Sequence, residues 1–110
     1  MNDPLLSMLG IAKRAGRLSC GFDAAADSMK KGRSLLLIIA ADVSERTKRS
    51  ASYTALSCKT PYVICSRTME QLGRAVGRRT TGIISIDDRG FAEKLKTLCA
   101  DNRQEECIDD

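Results

Sequence analysis

The sequence predicts an α/β fold: a three-layer α-β-α sandwich on a four-stranded mixed sheet, with about five helices. Three observations carry that expectation. Helical and extended patterns alternate along nearly the whole chain, and helix stops fall just ahead of strand starts. The run 35–40 is continuously apolar, as expected of a central strand covered by helices on both faces. At 110 residues the chain has length for one core and too little for two.

Asp3 is placed to cap and Pro4 to start a first helix, in which Leu5, Met8, Leu9 and Ala12 recur at helical spacing. Lys13 and Arg14 suit the negative end of its dipole, and Gly16 ends it. Residues 17–20 read as a short strand. Gly21 then turns the chain into a second helix with Phe22, Ala25, Ala26 and Met29 as the buried stripe, Asp23 as N-cap and Gly32 as the stop. After the apolar strand, Ser44 caps a long helix carrying Arg46, Lys48 and Arg49 on its first turns. Cations there oppose the helix dipole, so stability alone does not account for them. Residues 61–65 form the next strand. Thr68 and Gln71 have capping-box spacing for a fourth helix, with Leu72 and Val76 inward and Gly77 closing it. Residues 82–86 make the last strand. Asp87 or Asp88 leads into a final helix with Phe91, Leu95 and Leu98 inward. Residues 1–100 are expected to form one domain and 101–110 an acidic, flexible tail.

Charge is unevenly spread. The net is +4, but the last ten residues carry Asp101, Glu105, Glu106, Asp109 and Asp110 against Arg103. Residues 1–100 therefore hold 17 Lys/Arg and 9 Asp/Glu, a net of +8, which favours a polyanionic partner. No apolar run of about 18 residues exists to span a membrane. The N-terminus lacks a signal-peptide pattern, so a cytoplasmic protein is expected. The five cysteines are odd in number and no two are separated by two residues. Cys20, Cys58, Cys65 and Cys99 read as small buried hydrophobes rather than metal ligands, and Cys107 as an exposed thiol.

Catalytic readings come up short. The absence of histidine excludes Cys-His and Ser-His nucleophile pairs, and neither a phosphate loop nor a G-x-G-x-x-G turn is present. Asp42, after the second strand, is the one carboxylate in a typical α/β catalytic position. No enzyme, cofactor or metal site is expected. Nucleic-acid binding fits better, yet only Phe22, Tyr53, Tyr62 and Phe91 are aromatic, too few for a stacking platform on the sheet. Recognition would run through backbone amides, helix ends and basic side chains. Gly21 and Phe22 open a helix whose N–H groups attract phosphate, and Arg17 lies just before that turn. Arg78, Arg79, Thr80 and Thr81 form a polar loop after the fourth helix, with Arg74 one turn earlier.

Five segments in order also carry a resemblance: Ala15-Gly16-Arg17-Leu18-Ser19-Cys20-Gly21; Lys31-Gly32-Arg33; the apolar strand followed by Asp42-Val43-Ser44; Leu72-Gly73-Arg74-Ala75-Val76-Gly77; and Asp87-Asp88-Arg89-Gly90-Phe91-Ala92. Together they resemble the bacterial YlxQ branch of the ribosomal L-seven-Ae/L-thirty-e superfamily over roughly residues 5 to 98. The resemblance implies a monomeric, ribosomal-protein-like domain that binds kink-turn RNA. The strand-to-helix turn, here Gly21, Phe22, Asp23, Ala24 and Asp27, would read guanine edges. The second loop, Arg78 to Thr81, would meet the bulged nucleotides. One departure matters. The family turn carries amide, acidic and lysine side chains where this chain has Asp23, Ala24 and Asp27. Guanine presents the acceptors O6 and N7, to which ionised Asp cannot donate, a loss of about 1–3 kcal/mol per contact. Phosphate contacts through arginine and lysine need no base reading. Two alternatives stay open: a protein-binding accessory domain with a translation-factor partner, and a small α/β metabolite-binding domain near Asp42.

Overall fold

In the computed structural model, which describes residues 3–102, the first boundary falls at Asp3. Its carboxylate accepts from the Leu6 N–H at 3.3 Å, and α1 runs Pro4–Arg14. The same carboxylate takes a two-point grip from the Arg67 guanidinium, at 2.7 Å from Nε and 3.1 Å from Nη2. That hydrogen bonding holds the Asp3 carboxyl below the usual carboxylate range and raises Arg67 in turn. The chain continues as β1 (Leu18–Cys20), α2 (Phe22–Lys30), β2 (Leu36–Ile39), α3 (Glu45–Ser57), β3 (Tyr62–Ile64), α4 (Met69–Ala75), β4 (Ile83–Ile86) and α5 (Arg89–Asn102).

The sheet is ordered β1-β4-β2-β3. β4 pairs antiparallel with β1 (Cys20 opposite Ile84) and with β2 (Ile38 opposite Ile84), whereas β2 and β3 run parallel. Every residue of β2 and β4 is buried, the result expected where helices cover both faces. α2 packs against α3 over one face, and α1 packs against α4 and α5 over the other. Leu5, Leu9, Leu37, Ile38, Leu72, Ile86 and Leu95 fill the core, and Cys65 and Cys99 are buried with them. Cys20 and Cys58 are half-buried.

Four helices end in the same way. Past the last turn of α1, α2 and α4, a glycine at positive φ (Gly16, Gly32, Gly77) lets the next N–H return to a carbonyl of the final turn, such as Arg78 N to Gly73 O at 2.8 Å. α3 closes identically through Thr60 N to Ala55 O at 2.8 Å, but its left-handed position is Lys59, at φ 58°.

Two expectations are corrected, and the choice between Asp87 and Asp88 at the start of α5 is resolved. Phe22 is 37% exposed rather than part of the buried stripe, whose inward positions are Ala25, Ser28 and Met29. Asp23 is not the N-cap of α2. Gly21 holds that position with no side-chain bond, because β1 delivers the chain into the helix two residues earlier. Asp88 caps α5 by accepting from the Phe91 N–H at 3.0 Å, while Asp87 does something else. Its Oδ1 accepts from the hydroxyls of Ser28 (2.7 Å) and Ser85 (2.8 Å), and its Oδ2 from Ser19 (3.2 Å). α5 reaches Asn102, two residues into the expected tail; the rest of that tail, with Cys107, lies outside the described residues. Among the described residues no helix is long and apolar enough to cross a membrane.

Candidate nucleic-acid interface

Strand directions sort the helix ends. β1, β2 and β3 all run the same way and β4 opposes them, so the turns after β1, β2 and β3 gather at one end of the sheet. α2, α3 and α4 therefore begin together there. Asp3 at the head of α1 is drawn to the same end by Arg67, which follows β3. α5 alone begins at the opposite end, after β4.

Four of the five helix starts are satisfied by side chains. Asp3 caps α1, Ser44 caps α3, Thr68 and Gln71 form a full capping box on α4, and Asp88 caps α5. α4 receives a further acceptor. The Met69 N–H donates to Asp42 Oδ1 at 2.8 Å, so the carboxylate considered for catalysis is occupied as a helix-end brace. α2 has no such cap. Among the described residues the N–H groups of Phe22, Asp23 and Ala24 have no acceptor. That helix start points positive partial charge and unpaired donors at solvent.

The uncapped start forms one wall of an open groove of about 500 Å³. Gly21, at φ 95°, is pinned by its N–H to the Ile83 carbonyl at 2.8 Å. Arg78, Thr80 and Thr81 also line it, as do Gly82, Val43 and Met69, which lie together. Ser44 and Thr47, at the start of α3, complete the lining.

The basic loop is held in place by contacts of its own backbone. Arg78 N–H donates to Gly73 O, and Thr81 N–H to Met69 O at 3.1 Å. Gly73 lets the loop lie directly on α4, because a Cβ there would stand 2.6 Å from Thr80 Cα. Arg78, Arg79 and Thr80 are exposed, and among the described residues neither arginine has an ion-pair partner.

The structure brings together some expected site residues and separates others. Gly21, Phe22, Arg78, Thr80 and Thr81 line one groove. Thr81 is nonetheless buried, its hydroxyl donating to the Ile83 carbonyl at 3.4 Å, so it anchors the loop. Asp23 and Ala24 are exposed on the first turn of α2. Asp27 is one turn further on and meets Lys31 at 3.2 Å, an exposed pair that contributes little. Arg74 is exposed and pairs with Glu70 at 3.2 Å. Arg17 is at the wrong end. It precedes β1 and its carbonyl accepts from Asp87 N, so the whole length of β1 separates it from the groove. Val43, Ser44 and Thr47 were absent from the expected site. The signal for them was the apolar run itself, since neighbouring parallel strands place their following turns side by side. Among the described residues no group of acidic or thiol side chains is placed to hold a metal.

The model of the ribosomal protein L7Ae/L30e/S12e/Gadd45 family matches residues 3–96. The chain is 30% identical over 92 residues to the RNA-binding protein YlxQ of Bacillus subtilis, covering 83% of this chain and 90% of that one. It is 31% identical over 91 residues to the large ribosomal subunit protein eL30 of Saccharomyces cerevisiae, covering 82% and 87%. A solved Bacillus halodurans protein of unknown function superposes with a TM-score of 0.83 at 30% identity, covering 89% of this chain and 98% of that one. A Giardia lamblia 15.5kD RNA binding protein shares the fold, with a TM-score of 0.66 at 21% identity over 96% of this chain and 89% of its own.

Proposed function

This chain belongs to the ribosomal protein L7Ae/L30e/S12e/Gadd45 family, and on that premise we propose that it binds structured RNA of the kink-turn type in the groove between α2 and the 78–81 loop. The carrying observation is the uncapped start of α2 sharing that groove with Arg78, beside which the chain carries a second exposed arginine, Arg79. A phosphate there would accept from the N–H groups of the first turn and from Arg78, with Arg79 alongside. The names of its relatives, an RNA-binding protein and a ribosomal protein, support the reading.

Binding is dominated by charge, and base reading is weak. Asp23 and Ala24 offer no donor to guanine O6 or N7, so discrimination between RNAs falls short of what a donor-bearing turn provides. A non-catalytic role is part of this reading, and it is supported by the use of Asp42 as a brace for the start of α4.

The test is a titration of a kink-turn RNA and a scrambled duplex at two salt concentrations, with the natural chain and an Arg78→Ala/Arg79→Ala variant. Affinity should fall log-linearly with salt, and the variant should weaken both RNAs alike with a slope shallower by about 2. Salt-independent binding, or a loss confined to one RNA, would overturn the reading. A second reading, a protein partner on α3, rests on Tyr53 and Leu56, which are 72% and 66% exposed. Replacing both by Ser should leave RNA titrations unchanged and remove such a partner.

A further inference from the structure

The end of the sheet away from the groove carries a second cavity, of about 280 Å³. It opens where β2 and β3 begin and where α5 starts, and its cationic wall is Lys59, Arg89 and Lys96. Among the described residues none of the three has an ion-pair partner. Glu93 is the one acid on the wall. Leu35, Pro61 and Ala92 supply an apolar side.

Stability does not explain this set. Lys59 follows the C-terminus of α3, where a cation suits the dipole, but Arg89 is the first residue of α5, where a cation opposes it. Lys96 lies two turns into the same helix, at neither end. Three unpaired cations from two elements thus surround one concavity, at a cost in mutual repulsion that a bound anion would remove. The volume lies near the lower limit of ligand pockets, roughly 300 Å³, which suits one nucleotide unit and excludes a larger cofactor. The apolar side gives a base or ribose something to rest on, which a bare phosphate would not need.

We propose that this cavity is a second anion site that takes a nucleoside phosphate. The phosphate lies among Lys59, Arg89 and Lys96, and the nucleoside lies against Leu35, Pro61 and Ala92. The ligand is either one nucleotide of an RNA strand or a free nucleotide. The site is separate from the groove, since the length of the sheet lies between them, and it stands or falls independently of what the groove binds.

The test follows backbone amide shifts of ¹⁵N-labelled protein titrated at low salt with uridine 5′-monophosphate, a uridylate hexamer and inorganic phosphate. Shifts should centre on Leu35, Lys59, Ala92 and Glu93. They should persist in Arg78→Ala/Arg79→Ala, and Lys59→Gln/Arg89→Gln/Lys96→Gln should weaken binding by at least about tenfold. All three side chains are exposed, so the substitutions leave the fold in place; Arg89→Gln alone should give an intermediate loss. A hexamer that binds much more tightly than the monophosphate identifies an RNA strand as the ligand, and equal affinities identify a free nucleotide. The proposal is overturned if shifts appear only around Gly21, Thr47 and Arg78. It is equally overturned if the triple variant binds like the natural chain, or if inorganic phosphate binds as well as the nucleotides. Failure of kink-turn binding with these shifts intact would sink the groove reading alone.

Discussion

Gly73→Ala tests whether the groove depends on one close approach. The added methyl would stand 2.6 Å from Thr80 Cα and 2.8 Å from the carbonyl carbon and oxygen of Arg79. Ordinary contact needs about 3.5–4.0 Å, so the loop must retreat by about 1 Å, and backbone lies on both sides of the gap. Overpacking of this kind costs about 1–3 kcal/mol. Alanine in place of glycine inside a helix returns about 1 kcal/mol, leaving a net loss of about 0–2 kcal/mol. Stability should therefore fall by no more than about 2 kcal/mol. RNA affinity should fall at least about fivefold, because the retreat moves Arg78 and Arg79 away from the start of α2. Gly10→Ala is the control. Its methyl would meet the Ala75 carbonyl at 3.2 Å and Arg14 Nη1 at 3.8 Å, neither of them in the 78–81 loop. The assays are a urea titration and a kink-turn RNA titration at fixed salt. Unchanged affinity together with a raised urea midpoint would refute the reasoning, since the loop would then owe nothing to the bare Cα at Gly73.

Three further outcomes are expected. Lys59→Gly relieves the left-handed position that closes α3 and should add about 0.5–1 kcal/mol in a denaturant titration, while lowering nucleotide affinity at the second cavity; a loss of stability would contradict it. Arg67→Ala should cost about 1–2 kcal/mol at pH 7 by breaking the charged hydrogen bonds to Asp3. Because the Asp3 carboxyl titrates lower folded than unfolded, that contribution is present above its unfolded value of about 3.9 and lost as pH falls through the folded one. The gap between the two proteins should shrink below about pH 4, and a gap independent of pH would count against the pair. Asp23→Asn combined with Asp27→Lys should bind a kink-turn RNA at least about fivefold (~1 kcal/mol) more tightly and raise its preference over a scrambled RNA; an equal gain for both RNAs would mean added charge alone.

Boundaries were legible in the sequence because each is chemistry local to a few residues. Asp3-Pro4, Ser44, Thr68 with Gln71, and the glycines at 16, 32 and 77 mark ends of elements within about two residues of where they fall. The fully apolar residues of β2 announced a covered strand. Neighbours distant in sequence were not legible. No periodicity places β4 between β1 and β2, whereas the separation of Arg17 from Gly21 was legible, since the short strand between them sets the two at opposite ends of β1. The uses of Asp42 and Asp87 depend on groups 27 and 59 residues away, Met69 and Ser28. Phe22 reads as core by its apolarity, yet Gly21 sets it at the rim of the groove.

The strand order also sets a timetable. β4 is the last strand to be synthesised, yet it lies between the first and the second. Until residues 83–86 emerge from the ribosome, β1 has no strand to pair with, and Gly21 lacks the Ile83 carbonyl that pins it. α2 meanwhile lacks one of the two strands it packs on. The two walls of the groove thus come together only after β4 has been made. A nascent chain carries its early arginines and lysines past any RNA nearby with no assembled surface to hold it. For the RNA groove proposed above, binding competence would arrive with β4, so a chain truncated before β4 should lose the site even though Gly21 and all of α2 are present.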